Sequence, residues 1–170
     1  MKGLVDDLKE IGVNFTDQVP PLEKAQGKKG FRPDFGITAK DTFVCIGEIT
    51  GPGLASAAWK RNWDLYKLVR FGKQILSSGQ EIALLVQIVF DLGIYFRLTT
   101  PQRGVFLLWT VGDFKVPVCK MDIGSLLATL PVTEAMRNDL RRCVDAKRPV
   151  PLAWACADIP DAKKRLRTNI

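Results

Sequence analysis

Histidine is absent from this 170-residue chain. That removes the commonest general base and the commonest metal ligand. It also excludes a serine or cysteine nucleophile activated through an imidazole, so hydrolytic chemistry here has to rest on carboxylates, lysine or a bound metal. The four cysteines (Cys45, Cys119, Cys143, Cys156) are far apart and form no C-x-x-C pair, so no spacing argues for zinc. They are expected to be buried thiols in a reducing compartment. Long hydrophobic runs are lacking as well. The longest, Ile82 to Phe90, contains Gln87 and is too short to cross a bilayer. Met1 to Gly12 is charged and has no secretory pattern. The expectation is an intracellular protein, nuclear or cytoplasmic, with no membrane partner. There is no internal repeat and no low-complexity segment.

What is present fits one globular domain. Hydrophobic residues make up 46% and charged residues 25% of the chain, enough for a domain of this size to bury about 70% of its unfolded surface. The net charge is +7. Lys147 to Ile170 holds six basic and two acidic residues, which suggests a folded body over 1–146 and a basic tail over 147–170. A weakly basic body with such a tail suits nucleic acid or another polyanion, or a solvated tail that keeps the chain in solution. Lys163-Lys164-Arg165-Leu166-Arg167 is short enough to be chance, though a nuclear localisation element can look like this.

Hydrophobic spacing predicts a helix over Gly3–Ile11, stopped at Gly12, then a loop from Asn14 to Gly30. Alternation predicts a hairpin of Phe31–Thr38 and Phe43–Thr50 with its turn near Lys40-Asp41. A long helix is expected over Ala55–Leu76, with Trp59, Trp63, Tyr66, Leu68, Phe71 and Ile75 as its apolar face and Lys60, Arg61, Lys67, Arg70 and Lys73 as its basic one. Ile82–Phe90, apolar on both faces, reads as a central strand. Gly93–Thr99 and Val105–Val111 follow as strands around a turn at Pro101–Gly104. A last helical stretch spans Ile123–Ala146, broken near Pro131, with Leu126, Leu127, Leu130, Met136, Leu140 and Val144 on its buried side. Among the tryptophans, core packing is expected of Trp63 and Trp109, and Trp154 is placed to clamp the tail. Gly51-Pro52-Gly53 reads as a tight turn. The fold class expected is α/β, a central mixed sheet flanked by helices.

Chemistry concentrates in Pro33-Asp34 and Gly47-Glu48-Ile49-Thr50. Glu48 and Thr50 project from one strand face. If the hairpin loop is odd-numbered, Lys40 to Thr42, Asp34 lies opposite Glu48 and Arg32 opposite Thr50, with Cβ atoms about 4.5–5.5 Å apart. Two carboxylates that close repel unless a divalent cation sits between them. An even-numbered loop would put them on opposite faces.

Pro-Asp on one strand, then an acidic residue on the next, then a helix, resembles the PD-(D/E)XK nucleases. Gly47, Glu48 and Pro52, the run Asp64-Leu65-Tyr66-Lys67-Leu68 with Phe71-Gly72-Lys73, and Gly93-Ile94-Tyr95 to Val116-Pro117 look like members found in fungal genomes, some attached to Crinkler-type effectors. The similarity spans Phe31 to Leu140. It implies a restriction-endonuclease-like αβββαβ core with a C-terminal helical segment, and Mg²⁺ or Mn²⁺ held by Asp34, Glu48 and the Ile49 carbonyl. Glu10 matches a further acidic position weakly. Thr50 stands where the family has its lysine. In related enzymes the following helix can supply the amine, which makes Lys60 and Lys67 the candidates, Lys67 fitting better. Arg61, Arg70 and Lys73 would hold a nucleic-acid backbone.

Three readings follow. One is a metal-dependent nuclease with an altered site. Another is a pseudo-nuclease that binds nucleic acid or protein without turnover. The third is an unrelated α/β domain in which Asp34 caps a turn and Glu48 pairs with Arg32. The sequence leaves the oligomeric state open, a homodimer included.

Overall fold

The structure is a computed structural model that describes residues 11–14, 32–39 and 42–145. Six strands form one sheet in sequence order: β1 (Ile11–Asn14), β2 (Phe35–Ala39), β3 (Thr42–Thr50), β4 (Ile82–Val89), β5 (Leu92–Gln102) and β6 (Val105–Lys115). Every neighbouring pair is antiparallel except β3 and β4, which run parallel. Parallel neighbours need a crossover, and helix α1 (Ala58–Ser77) supplies it. A 3₁₀ turn at Pro52–Leu54 leads into α1. After β6 a 3₁₀ segment (Lys120–Thr129) passes into helix α2 (Leu130–Asp145).

The mixed sheet lies between the two helices. On one face Leu68, Phe71, Ile75 and Leu76 of α1 pack against Ile46, Ala83, Leu85, Phe96 and Leu98. Those helix positions recur every three or four residues and so form one stripe. Gly72 lies within this contact: a Cβ there would stand 2.7 Å from Leu98 Cδ2, so the bare backbone sets how closely helix and sheet approach. On the other face Val132, Met136, Leu140, Cys143 and Val144 of α2 cover Cys45, Leu84, Val86 and Tyr95. Tyr95 donates its hydroxyl to Asp139 Oδ2 at 2.6 Å, and Arg97 donates to the same oxygen at 2.6 and 3.1 Å. The α2 carboxylate is thus satisfied although it is buried. β4, between β3 and β5, is covered on both faces, which is why its sequence shows no alternation.

Several expectations shift. Ile11 and Gly12 belong to strand β1 rather than to a helix and its stop. The rest of that predicted helix, with Glu10, lies outside the described residues, as do the loop 15–31 and the tail with Cys156 and Trp154. α1 starts three residues later than expected because Pro52–Leu54 closes a 3₁₀ turn first. Trp59 is 66% exposed and Trp109 42% exposed, so neither is core. Leu126, Leu127 and Leu130 are exposed as well. Lys120–Thr129 is 3₁₀, and its three-residue period turns Leu126 and Leu127 off the face that Met136, Leu140 and Val144 bury, while Leu130 is the first residue of α2. Cys45 and Cys143 are buried free thiols, and Cys119 is an exposed one. Among the described residues no helix is long and apolar enough to cross a membrane.

Candidate active site

The hairpin register decides whether Asp34 and Glu48 meet. Ala39 pairs with Thr42, an even-numbered connection that by itself would separate the two acids. A bulge then intervenes. Ile37 pairs with Cys45, but Thr38 pairs with Phe43, so β3 carries one extra residue there. The bulge reverses the parity. Phe35 pairs with Gly47, where the ladder ends; that register continued by one residue would bring Asp34 level with Glu48. The Asp34 N–H donates to the Gly47 carbonyl at 3.1 Å, and its Oδ2 accepts the Ile49 N–H at 2.6 Å. The bulge, and not an odd-numbered loop, is what brings Asp34 near enough for its charge to act on Glu48. Gly47 permits the close pairing, since a Cβ there would fall 2.0 Å from the Phe35 ring.

Glu48 points to the α1 face and is buried. Its Oε2 accepts from Lys67 Nζ, while Oε1 is buried with no hydrogen bond among the described residues. Lys67 also stands 3.3 Å from Asp64 Oδ1. Asp64 is fully buried; its Oδ2 accepts from Lys60 Nζ and, at 2.6 Å, from the Thr50 hydroxyl. Gln87, level with Glu48 on the parallel strand β4, donates to the Arg61 carbonyl at 2.8 Å and ties the first turn of α1 to the sheet. The cluster sits at the carboxyl ends of β3 and β4, where open α/β sheets place their ligand crevices.

Burial pushes the Glu48 carboxyl up to about 7; the hydrogen bond and charge of Lys67 pull against this, and the charges of Asp34 and Asp64 add to it. Burial would raise Asp64 too, but bonds from Lys60 and Thr50 and the neighbouring ammonium charges overcome it and hold the group below the ordinary carboxylate range. Lys67 is desolvated, yet its bonds to Glu48 and Asp64 outweigh that and hold the amine above its ordinary value. At neutral pH Lys67 is therefore an ammonium and Asp64 a carboxylate, while Glu48 is balanced between its two forms.

The helix thus brings an amine to the acid on β3, as expected of Lys67; Lys60 reaches Asp64 instead. The partner of Glu48 is Lys67, in place of the Arg32 pairing in the unrelated-domain reading. Asp34 accepts a strand N–H rather than capping a turn. Arg61 is exposed at the start of α1 and donates to the Ala55 carbonyl at 2.8 Å. Arg70 and Lys73 do not join the cluster. Helical spacing puts them on the side of α1 away from Asp64, with Lys73 5.6 Å from the centre of the Phe106 ring.

Two members went unassigned in the sequence. Asp64 is the only acid in α1 and sits i+4 from Lys60 and i−3 from Lys67, a spacing that signals an ion-pair hub. Gln87 is the one polar residue in an apolar strand.

Mg²⁺ takes one or two carboxylates and keeps several waters. Asp34 and Glu48, with the unpartnered Glu48 Oε1, fit that demand. Among the described residues no group of three or more Cys, Asp and Glu could hold a metal. Asp64 Oδ2 is taken by Lys60 and Thr50, while its Oδ1, 3.3 Å from Lys67 Nζ, has no hydrogen bond among the described residues. Comparison with family models, with curated proteins and with solved structures found no match.

Proposed function

We propose that this chain is a metal-dependent phosphodiesterase acting on nucleic acid, built on a restriction-endonuclease-like core in which Lys67 of the helix replaces the strand lysine. One observation carries this reading. The Lys67 amine meets Glu48 from α1, on the strand face where Thr50 offers only a hydroxyl. The run β1–β2–β3–α1–β4, with β4 parallel to β3, supports it, since it follows the βββαβ part of the expected order.

Asp34, Glu48 and the Ile49 carbonyl would hold Mg²⁺ or Mn²⁺, which supplies an activated water and stabilises charge on the phosphate. Lys67, held protonated, donates hydrogen bonds and offsets developing negative charge; it does not take a proton from water. Asp64 and Thr50 hold that amine in place. The exposed Arg61 would take a backbone phosphate. The domain body would be 1–146, with 147–170 as a basic tail.

A second reading has its own support. Lys60 and Lys67 already partner Asp64 and Glu48 without any metal, as in a pseudo-nuclease that binds and does not cut. Cleavage of plasmid DNA and single-stranded RNA with Mg²⁺ or Mn²⁺, alongside calorimetric titration with Mn²⁺, separates the two. Cleavage lost in Glu48→Gln supports the hydrolase. No Mn²⁺ binding and no cleavage sinks it and leaves the binding module.

A further inference from the structure

α1 has a one-sided charge. Its twenty residues include five bases, Lys60, Arg61, Lys67, Arg70 and Lys73, and one acid, Asp64. That acid is fully buried, so the helix shows water no negative charge. At the end of α1 nearest the candidate site, Trp59 is 66% exposed and Leu54 45% exposed. An indole left this open in a helix with a well-filled core face has no packing role.

The surroundings of Trp59 are braced. Lys60, the next residue, reaches into the cluster to Asp64. Arg61 grips the Ala55 carbonyl, and Gln87 holds the Arg61 carbonyl. The Gly51–Ala57 connection carries no charge of either sign. Trp59 therefore stands in water on a braced stretch of backbone, next in sequence to Lys60, which reaches the buried Asp64, and two residues before the exposed Arg61. Trp63 and Tyr66 continue the aromatic line at i+4 and i+7, stacked with centroids 5.4 Å apart.

We infer that Trp59 is a stacking platform for an unpaired base, so that the chain takes single-stranded nucleic acid, with Arg61 on the adjoining phosphate. The inference deepens the hydrolase reading and rests on it for the polyanion's identity. A base offers its face only when it is unpaired and unstacked, and aromatic side chains beside cations are how proteins hold such strands without reading sequence. Duplex DNA would present Trp59 with a sugar–phosphate ridge and nothing to stack on. Tryptophan and arginine also anchor protein interfaces, but a helix face without an acid matches a polyanion better than a typical protein surface.

Fluorescence anisotropy tests this with a labelled oligothymidylate of about ten nucleotides and a duplex of matching length, in EDTA so that no cleavage intervenes. The wild type should prefer the single strand. Trp59→Ala should weaken single-strand binding about 5- to 150-fold and leave duplex binding nearly unchanged, while Trp59→Phe recovers part of the loss. Arg61→Ala should weaken both and reduce the salt slope by about one. Trp109→Ala, on the β6 edge, should change neither, and circular dichroism melts check that each variant is folded. Equal single-strand affinity in wild type and Trp59→Ala overturns the platform. So does an equal loss on both ligands. So does a Trp59-dependent doubling of mass in light scattering without oligonucleotide binding, which would mark a protein interface. Trp59-dependent single-strand binding without cleavage under Mg²⁺ or Mn²⁺ supports the platform and tells against the hydrolase; cleavage without Trp59 dependence does the reverse.

Discussion

Mn²⁺ affinity should rise about 100-fold between pH 5 and pH 8, and the reason is Glu48. Its carboxyl titrates near 7 because burial outweighs the nearby Lys67. A divalent ion binds only the carboxylate, so below pH 7 each ion that binds must expel one proton. Affinity then climbs about tenfold per pH unit up to 7 and flattens above it, roughly 3 kcal/mol across the range. An ordinary glutamate, titrating at 4.5, would give a change below about 1.5-fold over the same interval. Calorimetry in buffers of different ionisation enthalpy counts the protons, and about one per ion is expected at pH 5.5. In Glu48→Gln the steep rise should vanish together with most of the affinity. A wild-type affinity that is flat from pH 5 to 8, or binding without proton release, would falsify the assignment of Glu48 as a buried, half-ionised metal ligand.

Without metal the same group works against the fold. Its folded value lies above its unfolded one, so between pH 4.5 and 7 the folded state keeps a proton that the unfolded state has lost. Stability should then fall by about 3 kcal/mol as pH rises through that window in EDTA. Asp64, with a lowered value, adds stability lost only as pH drops below the ordinary carboxylate range, and the raised Lys67 adds stability lost only above 10.5, so neither masks the trend in a thermal melt series. Lys67→Met should lower turnover by about 10²–10³-fold, and with the Lys67 hydrogen bond and charge gone the Glu48 carboxyl should rise further and shift the climb in Mn²⁺ affinity to higher pH; unchanged turnover would return Lys67 to a structural role. Leu68→Ala, at a fully buried helix position, should cost about 2–5 kcal/mol in urea unfolding. Tyr95→Phe should cost about 1–2 kcal/mol, because Asp139 keeps Arg97 when the hydroxyl bond is lost; no change in urea midpoint would mean that bond adds nothing.

Local pattern was enough for most of the elements, though not for β1 or for the 3₁₀ segment Lys120–Thr129. Alternation marked β2 and β3, the continuous apolar run of Ile82–Val89 marked the doubly covered β4, and the 3–4 spacing of Leu68, Phe71 and Ile75 marked the buried side of α1. The residue types in Pro33-Asp34, Gly47-Glu48 and the Lys60–Lys67 turn named the candidate acids and amines, because only those types could do the chemistry left to a chain without histidine. What required the tertiary structure was everything set by neighbours distant in sequence. Whether Asp34 faces Glu48 turned on one extra residue in β3, a bulge whose position leaves no mark in composition. Trp59 and Leu68, nine residues apart, lie on opposite sides of α1, and only the packed core showed which side is buried. Asp64 became the hub of the cluster, and Glu48 moved toward 7, only once the helix removed both from water. Burial and ion pairing act through space, so the chain's order alone does not state them.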